Sequence, residues 1–342
     1  MSSDLRLLNL LPLPFKDPFA WEMYSRMATV IWSHSELDYS SDIKDYDALT
    51  DQERHIIDTI LGFFLPADGA VNDNLAYRFM IDYKDDRGAQ IVFSAQMYIE
   101  YEHALTYNIA ALAFKRTNEE VCKLILESES NDYTKRKMDF MERWQNSKAP
   151  LYQRLAAFAC AERIFFCTLF GAIYWFRAKG KLPSFNTAND FIKRDESLHG
   201  EWGAHLVVRE LEKMSISERE AAIKVVQEIV DEAIEIEYQF CSVLVPVPIA
   251  NEISSDGLKK YAQLMADKLL NLMQLPSRYG GVCPYSWLSS IDNDVKVNTF
   301  ELRSASYATT SVESFMNYRR RAGLEGQNNI SDALSNPQEV DF

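Results

Sequence analysis

The sequence has few of the residues that break helices or cross-link a chain. Gly and Pro occur 12 and 11 times in 342 residues, too seldom for a turn-rich β architecture. The five cysteines are odd in number, widely spaced and include no CxxC pair: Cys122, Cys160, Cys167, Cys241 and Cys283. These absences argue against a disulfide framework or a zinc site, and we expect reduced thiols in a cytoplasmic protein.

Long basic runs and uninterrupted apolar segments are also missing. The net charge is -14 and the longest basic run is Arg319–Arg321, so we expect no direct contact with nucleic acid. The N-terminus lacks the features of a signal peptide. The most apolar stretch, residues 155–176, carries Glu162 and Arg163 near its middle, which favours a buried helix over a membrane span.

Signals for long helices recur along the chain. Thr50–Glu53 has the capping-box pattern, and Ser215–Glu218 repeats it. Helices are predicted from residue 51, over 91–115, over 151–178, over 187–212 and over 216–240. We find no internal repeat and no strand alternation, so the fold class is predicted to be all-α. One helical domain is expected over residues 1–310, followed by a polar, flexible tail over 311–342.

Two Glu-x-x-His motifs, Glu100–His103 and Glu196–His199, each lie on a predicted long helix. Residues three apart project from one helix face, so each motif directs a carboxylate and an imidazole to one point. A single motif is more often a solvated face, but a pair of them, with one carboxylate from each of two further helices, is typical of ferritin-like di-iron bundles. The acidic run DEAIEIEYQF (231–240) lacks such a histidine and is interpreted as a solvated face.

Glu162 and Asp68 are the candidates for the two further carboxylates. Glu162 lies in ACAERIFFCTLFGAIYWF, where an ionised carboxylate is costly to bury unless it binds a cation or pairs with Arg154 or Arg163. Asp68 ends an apolar helical stripe and could instead be a cap or turn residue; Pro66, just before it, would disturb or kink a helix. Four carboxylates and two imidazoles suit iron or manganese better than zinc or copper.

Over residues 15–310 the spacing and flanks of these motifs resemble the small subunit of class I ribonucleotide reductase. The resemblance implies two iron ions per subunit, or manganese, joined by bridging carboxylates. One ion would be held by Asp68, Glu100 and His103, and the other by Glu162, Glu196 and His199. It also implies a radical tyrosine four residues after the first ligand histidine, which is Tyr107 in EHALTYNIA. Helical spacing independently places Tyr107 on the face of Glu100 and His103.

Further roles follow from the same resemblance. An apolar pocket around the radical would be formed by Phe166, Phe170 and Ile192, which are ordinary core residues as well. A relay towards a partner subunit would pass through Trp32, Asp195 and Tyr307, with Tyr318 as a weaker alternative to Tyr307. Taken alone, a tryptophan is more often a core anchor and an aspartate a surface acid. A carboxylate bonded to a metal-bound imidazole would fix its orientation, which gives Asp195 a physical reason to be there.

The implied function is that of the small subunit of ribonucleoside-diphosphate reductase. It would use the di-iron site and dioxygen to generate and store a tyrosyl radical, which a separate large subunit needs to reduce ribonucleotides. The resemblance also implies a homodimer and a C-terminal tail, ending in EVDF, that docks on the large subunit. The chain has no P-loop or GxGxxG motif, in agreement with nucleotide binding elsewhere.

Three alternatives remain open at this point. A related di-metal oxidase acting on a bound lipid or small molecule would need an accessible cavity at the metals. A ferritin-like iron-storage protein would need a short, shell-forming chain. A purely structural helical scaffold would leave the buried acids unexplained.

Overall fold

The computed structural model describes residues 16–289, with the exception of residue 251. Within this part of the chain there are eleven α-helices of eight or more residues, and the only β pairing is an isolated bridge between Ile249 and Ile253. The helices are α1 (Pro18–Thr29), α2 (Ser40–Asp47), α3 (Asp51–Asn74), α4 (Arg87–Lys115), α5 (Asn118–Ser130), α6 (Asp132–Asn146), α7 (Leu151–Cys160), α8 (Cys167–Ala178), α9 (Pro183–Glu212), α10 (Ile216–Leu244) and α11 (Ser255–Leu272).

Five shorter pieces complete the helical part: a 3-10 turn (His34–Glu36), two π-helical turns (Leu75–Phe79 and Ala161–Phe165) and two short α-helices (Met80–Asp82 and Ser286–Ser289). The all-α prediction is confirmed. The predicted domain limit at residue 310 and the tail over 311–342 lie outside the described residues, as do Tyr307 and Tyr318.

The predicted starts of the helices at residues 51 and 216 depend on capping boxes, and both capping boxes are confirmed. The Thr50 hydroxyl accepts from the Glu53 amide at 3.3 Å, while the Glu53 carboxylate accepts from the Thr50 amide at 2.9 Å. Ser215 and Glu218 form the same reciprocal pair at the start of α10. Such caps satisfy amide groups that have no partner within the first helical turn.

The start of α9 was predicted four residues too late. The helix begins at Pro183, which is favourable at a first helical position because proline has no amide to leave unpaired. The next two amides, of Ser184 and Phe185, donate to the carboxylate of Asp42 at 3.1 and 2.7 Å. The cap therefore comes from α2, far away in sequence, and no local pattern could reveal it.

Pro66 does not end the helix that carries Asp68. Helix α3 continues from Asp51 through Pro66 to Asn74. Proline has no amide hydrogen, so the carbonyl of Gly62 loses its usual partner four residues later. Asp68 therefore lies within the helix and is neither a cap nor a turn residue.

The segment predicted as one helix over 151–178 is divided into α7, the π turn Ala161–Phe165 and α8. A π turn contains an extra residue per turn and is common at functional sites. The segment is long and apolar enough to cross a membrane, but 94% of its most apolar window is buried inside the fold. It is the central helical segment of the core, and it carries Glu162.

The helices pack around this central segment. Helix α3 lies along α4, α7 lies along α9, and α10 packs on both α7 and α11. One continuous apolar core joins them.

The interpretation of residues 231–240 as a solvated face is wrong for one of its four acidic residues. Glu235 is exposed, but Glu237 is fully buried and pairs with Lys137 of α6. The partner lies about one hundred residues earlier, so the pairing is invisible in the local pattern.

Candidate metal centre

Six buried ionisable side chains converge from four helical segments. They are Asp68 on α3, Glu100 and His103 on α4, Glu162 on the π turn, and Glu196 and His199 on α9. Each is at most 2% exposed. Burying so many ionisable groups is unfavourable unless they share protons or bind cations.

Glu100 and Glu196 each contact both imidazoles. Nδ1 of His103 lies 3.2 Å from Glu100 Oε2 and 3.1 Å from Glu196 Oε1. Nδ1 of His199 lies 2.8 Å from Glu100 Oε1 and 3.0 Å from Glu196 Oε2. Each carboxylate thus directs one oxygen to each histidine, which is the arrangement that a carboxylate shared by two cations requires.

Glu162 joins the same group. One ligand atom from each of Glu100, Glu162, Glu196 and His199 lies within 4.8 Å of the others, a spacing that a single cation could span. Arg154, one of the two arginines considered as a partner for Glu162, pairs instead with Asp82 at 2.6 Å.

Several atoms of the cluster have no hydrogen-bond partner within the described chain. They include both carboxylate oxygens of Asp68, Oε2 of Glu162 and Nε2 of His199. Buried polar atoms are nearly always bonded, so these atoms have the property expected of metal ligands. The donor set of carboxylates and imidazoles is hard and rich in oxygen, so the site fits iron or manganese.

The raised pKa values of several groups in the cluster mean that these groups hold protons when no cation is bound. Burial, followed by the charges of Glu100 and Glu196, raises the pKa of Asp68. Burial and the same two carboxylates raise the pKa of Glu162. Burial opposes the charged form of His199, but the nearby Glu100 and Glu196 outweigh it and raise the pKa of His199 to about 9. Metal binding would have to displace these protons.

Tyr107 is fully buried one helical turn beyond His103 on α4. Its hydroxyl donates to Asn189 Oδ1 at 2.8 Å. Its ring stacks on Phe64, with centroids 4.4 Å apart and planes 6° apart. Burial, with a smaller effect from the charge of Asp68, raises the pKa of Tyr107, so the side chain is a neutral phenol.

The predicted pocket residues Phe166, Phe170 and Ile192 are all buried. Phe166 and Phe170 contact Phe64, with ring centroids 5.3 and 5.5 Å from it. Phe64 therefore contacts these two rings as well as the ring of Tyr107.

A single carboxylate oxygen connects Trp32 to the cluster. Trp32 Nε1 donates to Asp195 Oδ2 at 2.8 Å, and the same oxygen lies 3.2 Å from His103 Nε2. The rings of Trp32 and His103 are nearly parallel, with centroids 6.0 Å apart. The structure thus brings Trp32 and Asp195 together with a cluster histidine.

Comparison with known proteins identifies the family. Residues 11–284 match the family described as ribonucleotide reductase, small chain. The chain belongs to this family. It is 33% identical over 304 residues to the ribonucleoside-diphosphate reductase small chain of Nicotiana tabacum, covering 89% of this chain and 90% of that one. It is 31% identical over 305 residues to the Variola virus small chain, covering 89% and 92%.

Solved structures share the fold of this ribonucleotide reductase small chain. A putative class I ribonucleotide reductase from Bacillus halodurans superimposes with a TM-score of 0.73 at 18% identity, covering 81% of this chain and all of that one (100%). Dimanganese(II)-NrdF of Streptococcus sanguinis gives 0.71 at 17% identity, covering 80% and 95%. The Rnr4 homodimer of Saccharomyces cerevisiae gives 0.66 at 23% identity, covering 80% and 84%. The predicted family and the ferritin-like bundle are confirmed.

Three residues at the site of this ribonucleotide reductase small chain were not identified from the sequence. Phe64 and Asn189 contact Tyr107, and Gln96 Nε2 donates to Glu162 Oε1 at 3.1 Å. Each lies four or seven residues before a candidate ligand: Phe64 before Asp68, Gln96 before Glu100, and Asn189 before Glu196. Helical periodicity applied backwards from the ligands would have found them.

Proposed function

We propose that this chain is the radical-generating small subunit of a class I ribonucleoside-diphosphate reductase. In this role it holds two metal ions and stores an oxidised Tyr107 for a separate large subunit that reduces ribonucleotides. The observation that carries the proposal is the set of six buried carboxylates and imidazoles beside a fully buried phenol. A cytoplasmic location and a role in supplying deoxyribonucleotides for DNA replication belong to the same proposal.

The proposal assigns one ion to Asp68, Glu100 and His103, and the other to Glu162, Glu196 and His199. The contacts of Glu100 and Glu196 with both histidines support bridging roles for these two carboxylates. We propose iron as the native metal, with manganese as the alternative that the same donors accept. When bound, the ions supply the one-electron oxidising power, drawn from dioxygen, that side chains lack.

The surroundings of Tyr107 support its role as the stored radical. The phenolic hydroxyl donates to Asn189 Oδ1 at an oxygen–oxygen distance of 2.8 Å, and the stacked ring of Phe64 fixes the plane of the phenol. Phe166, Phe170 and Ile192 keep the pocket apolar, so water and reductants are excluded from the oxidised residue.

Asp195 has the geometry of a positioning residue for a relay. Its Oδ2 accepts the indole proton of Trp32 and faces His103 Nε2, so it orients both rings. The proposed route to the large subunit continues from Trp32 to Tyr307. Tyr307 and the docking tail over 311–342 lie outside the described residues and remain predictions.

An exposed apolar stripe on α4 supports the proposed homodimer. Five side chains at helical spacing along one face are between 37% and 63% exposed: Tyr98, Tyr101, Leu105, Ile109 and Leu112. Apolar patches of this kind mark interaction surfaces. We propose that a second copy of this chain packs on this stripe.

The alternative oxidase function needs room for a substrate at the metals. A cavity lined by Glu162, Glu196, Phe170 and neighbouring residues has a volume of about 10 Å³. That is roughly the space that one water molecule needs. A lipid or another organic substrate would not fit there, which favours the reductase subunit.

Reconstitution of the metal-free protein with ferrous iron and dioxygen tests the proposal. We expect an electron paramagnetic resonance signal of a tyrosyl radical that disappears in Tyr107→Phe. Tyr174→Phe is the matched control, because Tyr174 is also buried and its hydroxyl lies 3.5 Å from the Asn189 carbonyl oxygen. An unchanged signal in Tyr107→Phe would place the radical elsewhere, and no signal with either iron or manganese would favour a different function.

A further inference from the structure

A buried ion pair close to the candidate metal centre has no role in the proposed function. Lys137 of α6 and Glu237 of α10 are both fully buried, and Lys137 Nζ lies 3.0 Å from Glu237 Oε2. The ammonium group also lies 4.1 Å from the ring centroid of Phe63 and 3.8 Å from that of Phe240. It is therefore enclosed by one carboxylate, two aromatic faces and the backbone.

Packing alone does not explain this pair. Two charges removed from water lose several kcal/mol of hydration each, and apolar residues of similar volume often stabilise a fold as well or better. Burial lowers the pKa of Lys137 and raises that of Glu237, which reflects this unfavourable desolvation. The pair does, however, form hydrogen bonds with a neighbouring helical segment.

Those hydrogen bonds hold both sides of one backbone junction. Lys137 Nζ donates to the carbonyl oxygen of Phe165 at 2.5 Å, and Phe165 is the last residue of the π turn. The hydroxyl of Thr168, in the first turn of α8, donates to Glu237 Oε1. The pair thus ties together the end of the π turn and the beginning of α8, which are two residues apart.

This junction lies three residues after Glu162. A π turn is rare and occurs mostly as a single turn inside an α-helix, so contacts from outside the helix can help to keep it in place. The direction of the Glu162 side chain depends on the extra residue of the π turn, because a regular α-helix over the same segment would rotate the side chain around the axis.

We propose that the Lys137–Glu237 pair is a positioning device for Glu162: it keeps the π turn in place and thereby presents the Glu162 carboxylate to the second metal ion. The inference rests on the proposed function, since it takes Glu162 to be a ligand. Lys137 acts through the carbonyl oxygen of Phe165 and Glu237 through the hydroxyl of Thr168, so neither residue is itself a ligand.

The test compares metal binding by the full-length, metal-free chain and its variants. Manganese(II) is added anaerobically, and the free ion is followed by its six-line paramagnetic resonance signal. The variant Lys137→Met/Glu237→Leu replaces the pair with apolar side chains of similar size. The matched control, Arg143→Ala/Glu232→Ala, removes an exposed ion pair of 2.8 Å between the same two helices.

We expect the wild-type chain to bind two ions. In Lys137→Met/Glu237→Leu one ion should bind about tenfold more weakly, as for other residues that orient a ligand, while the other is unaffected. The midpoint temperature of thermal unfolding of the metal-free double variant should be no lower than that of the metal-free wild type. The control should bind both ions normally.

The possible failures are distinguishable. A wild-type chain that binds no manganese(II) overturns both the proposed metal centre and the positioning role. Two ions bound with normal affinity by the folded double variant overturn only the positioning role. If the double variant does not fold, Thr168→Val and Thr168→Ser are compared instead. Weaker binding of one ion in the valine variant alone supports the proposal. Equal binding in the two variants contradicts it.

Discussion

Replacement of Phe64 by leucine tests whether the stacked ring controls Tyr107. Phe64 is fully buried and lies 4.4 Å from the phenol, with the two planes 6° apart. Such a stacked pair contributes about 1 kcal/mol beyond its buried area. Loss of 1 kcal/mol allows alternative orientations of the Tyr107 ring to increase about fivefold in population. With the smaller side chain, the total loss of unfolding free energy should be about 2 kcal/mol.

Two assays on reconstituted protein measure the effect. The β-methylene splitting in the radical's paramagnetic resonance spectrum depends on the ring dihedral angle, so it should broaden in Phe64→Leu, and the radical should decay faster. Phe79→Leu is the matched control, because Phe79 is equally buried but packs on Phe93 and Phe158. It should lose similar stability in urea denaturation and keep the wild-type spectrum. A folded Phe64→Leu with unaltered splitting and lifetime would refute the reasoning.

Three further outcomes are expected. Asp195→Asn should leave the radical on Tyr107 but slow its transfer through Trp32, so ribonucleotide reduction with an added large subunit should fall at least about tenfold while the radical signal persists. Leu105→Glu should convert the dimer to a monomer in analytical ultracentrifugation, because a charge on the exposed α4 stripe cannot be buried unpaired. In the metal-free protein, Asp68 and Glu162 have pKa values raised above 3.8 and 4.5, so they retain protons that the unfolded chain has lost. The stabilisation by these protons is complete below the ordinary pKa values and is lost as the pH rises through the raised pKa values. Urea denaturation should therefore show a free energy of unfolding that falls as the pH rises above the ordinary values of 3.8 and 4.5, and metal loading should remove this dependence.

Most residues of the candidate site were predicted from helical periodicity. Each Glu-x-x-His motif is a local pattern, and a ligand pair three residues apart needs only an α-helix to share a face. Tyr107 follows from the same rule, four residues after His103. Glu162 was identified because an acid in an apolar helix is unusual, and this signal also depends on the sequence alone.

The features that the sequence did not reveal depend on contacts between distant segments. The π turn at Glu162 accepts a hydrogen bond from Lys137, which pairs with Glu237, and these two residues belong to two other helices. Glu237 resembled a solvated acid because its neighbour Glu235 is one. The early start of α9 depends on Asp42 in α2. In each case the deciding partner lies many residues away, so a local pattern has no access to it.

The apolar central segment has a consequence for the chain during synthesis. Before α9 and α10 fold over it, residues 151–178 emerge from the ribosome with the length and hydropathy of a membrane-inserting helix. Arg163 alone opposes insertion by about 3 kcal/mol at the centre of a bilayer, and Glu162 beside it adds to that penalty. An apolar substitution at Glu162 would therefore do more than remove a candidate ligand, because it would also make the nascent segment a better substrate for the insertion machinery.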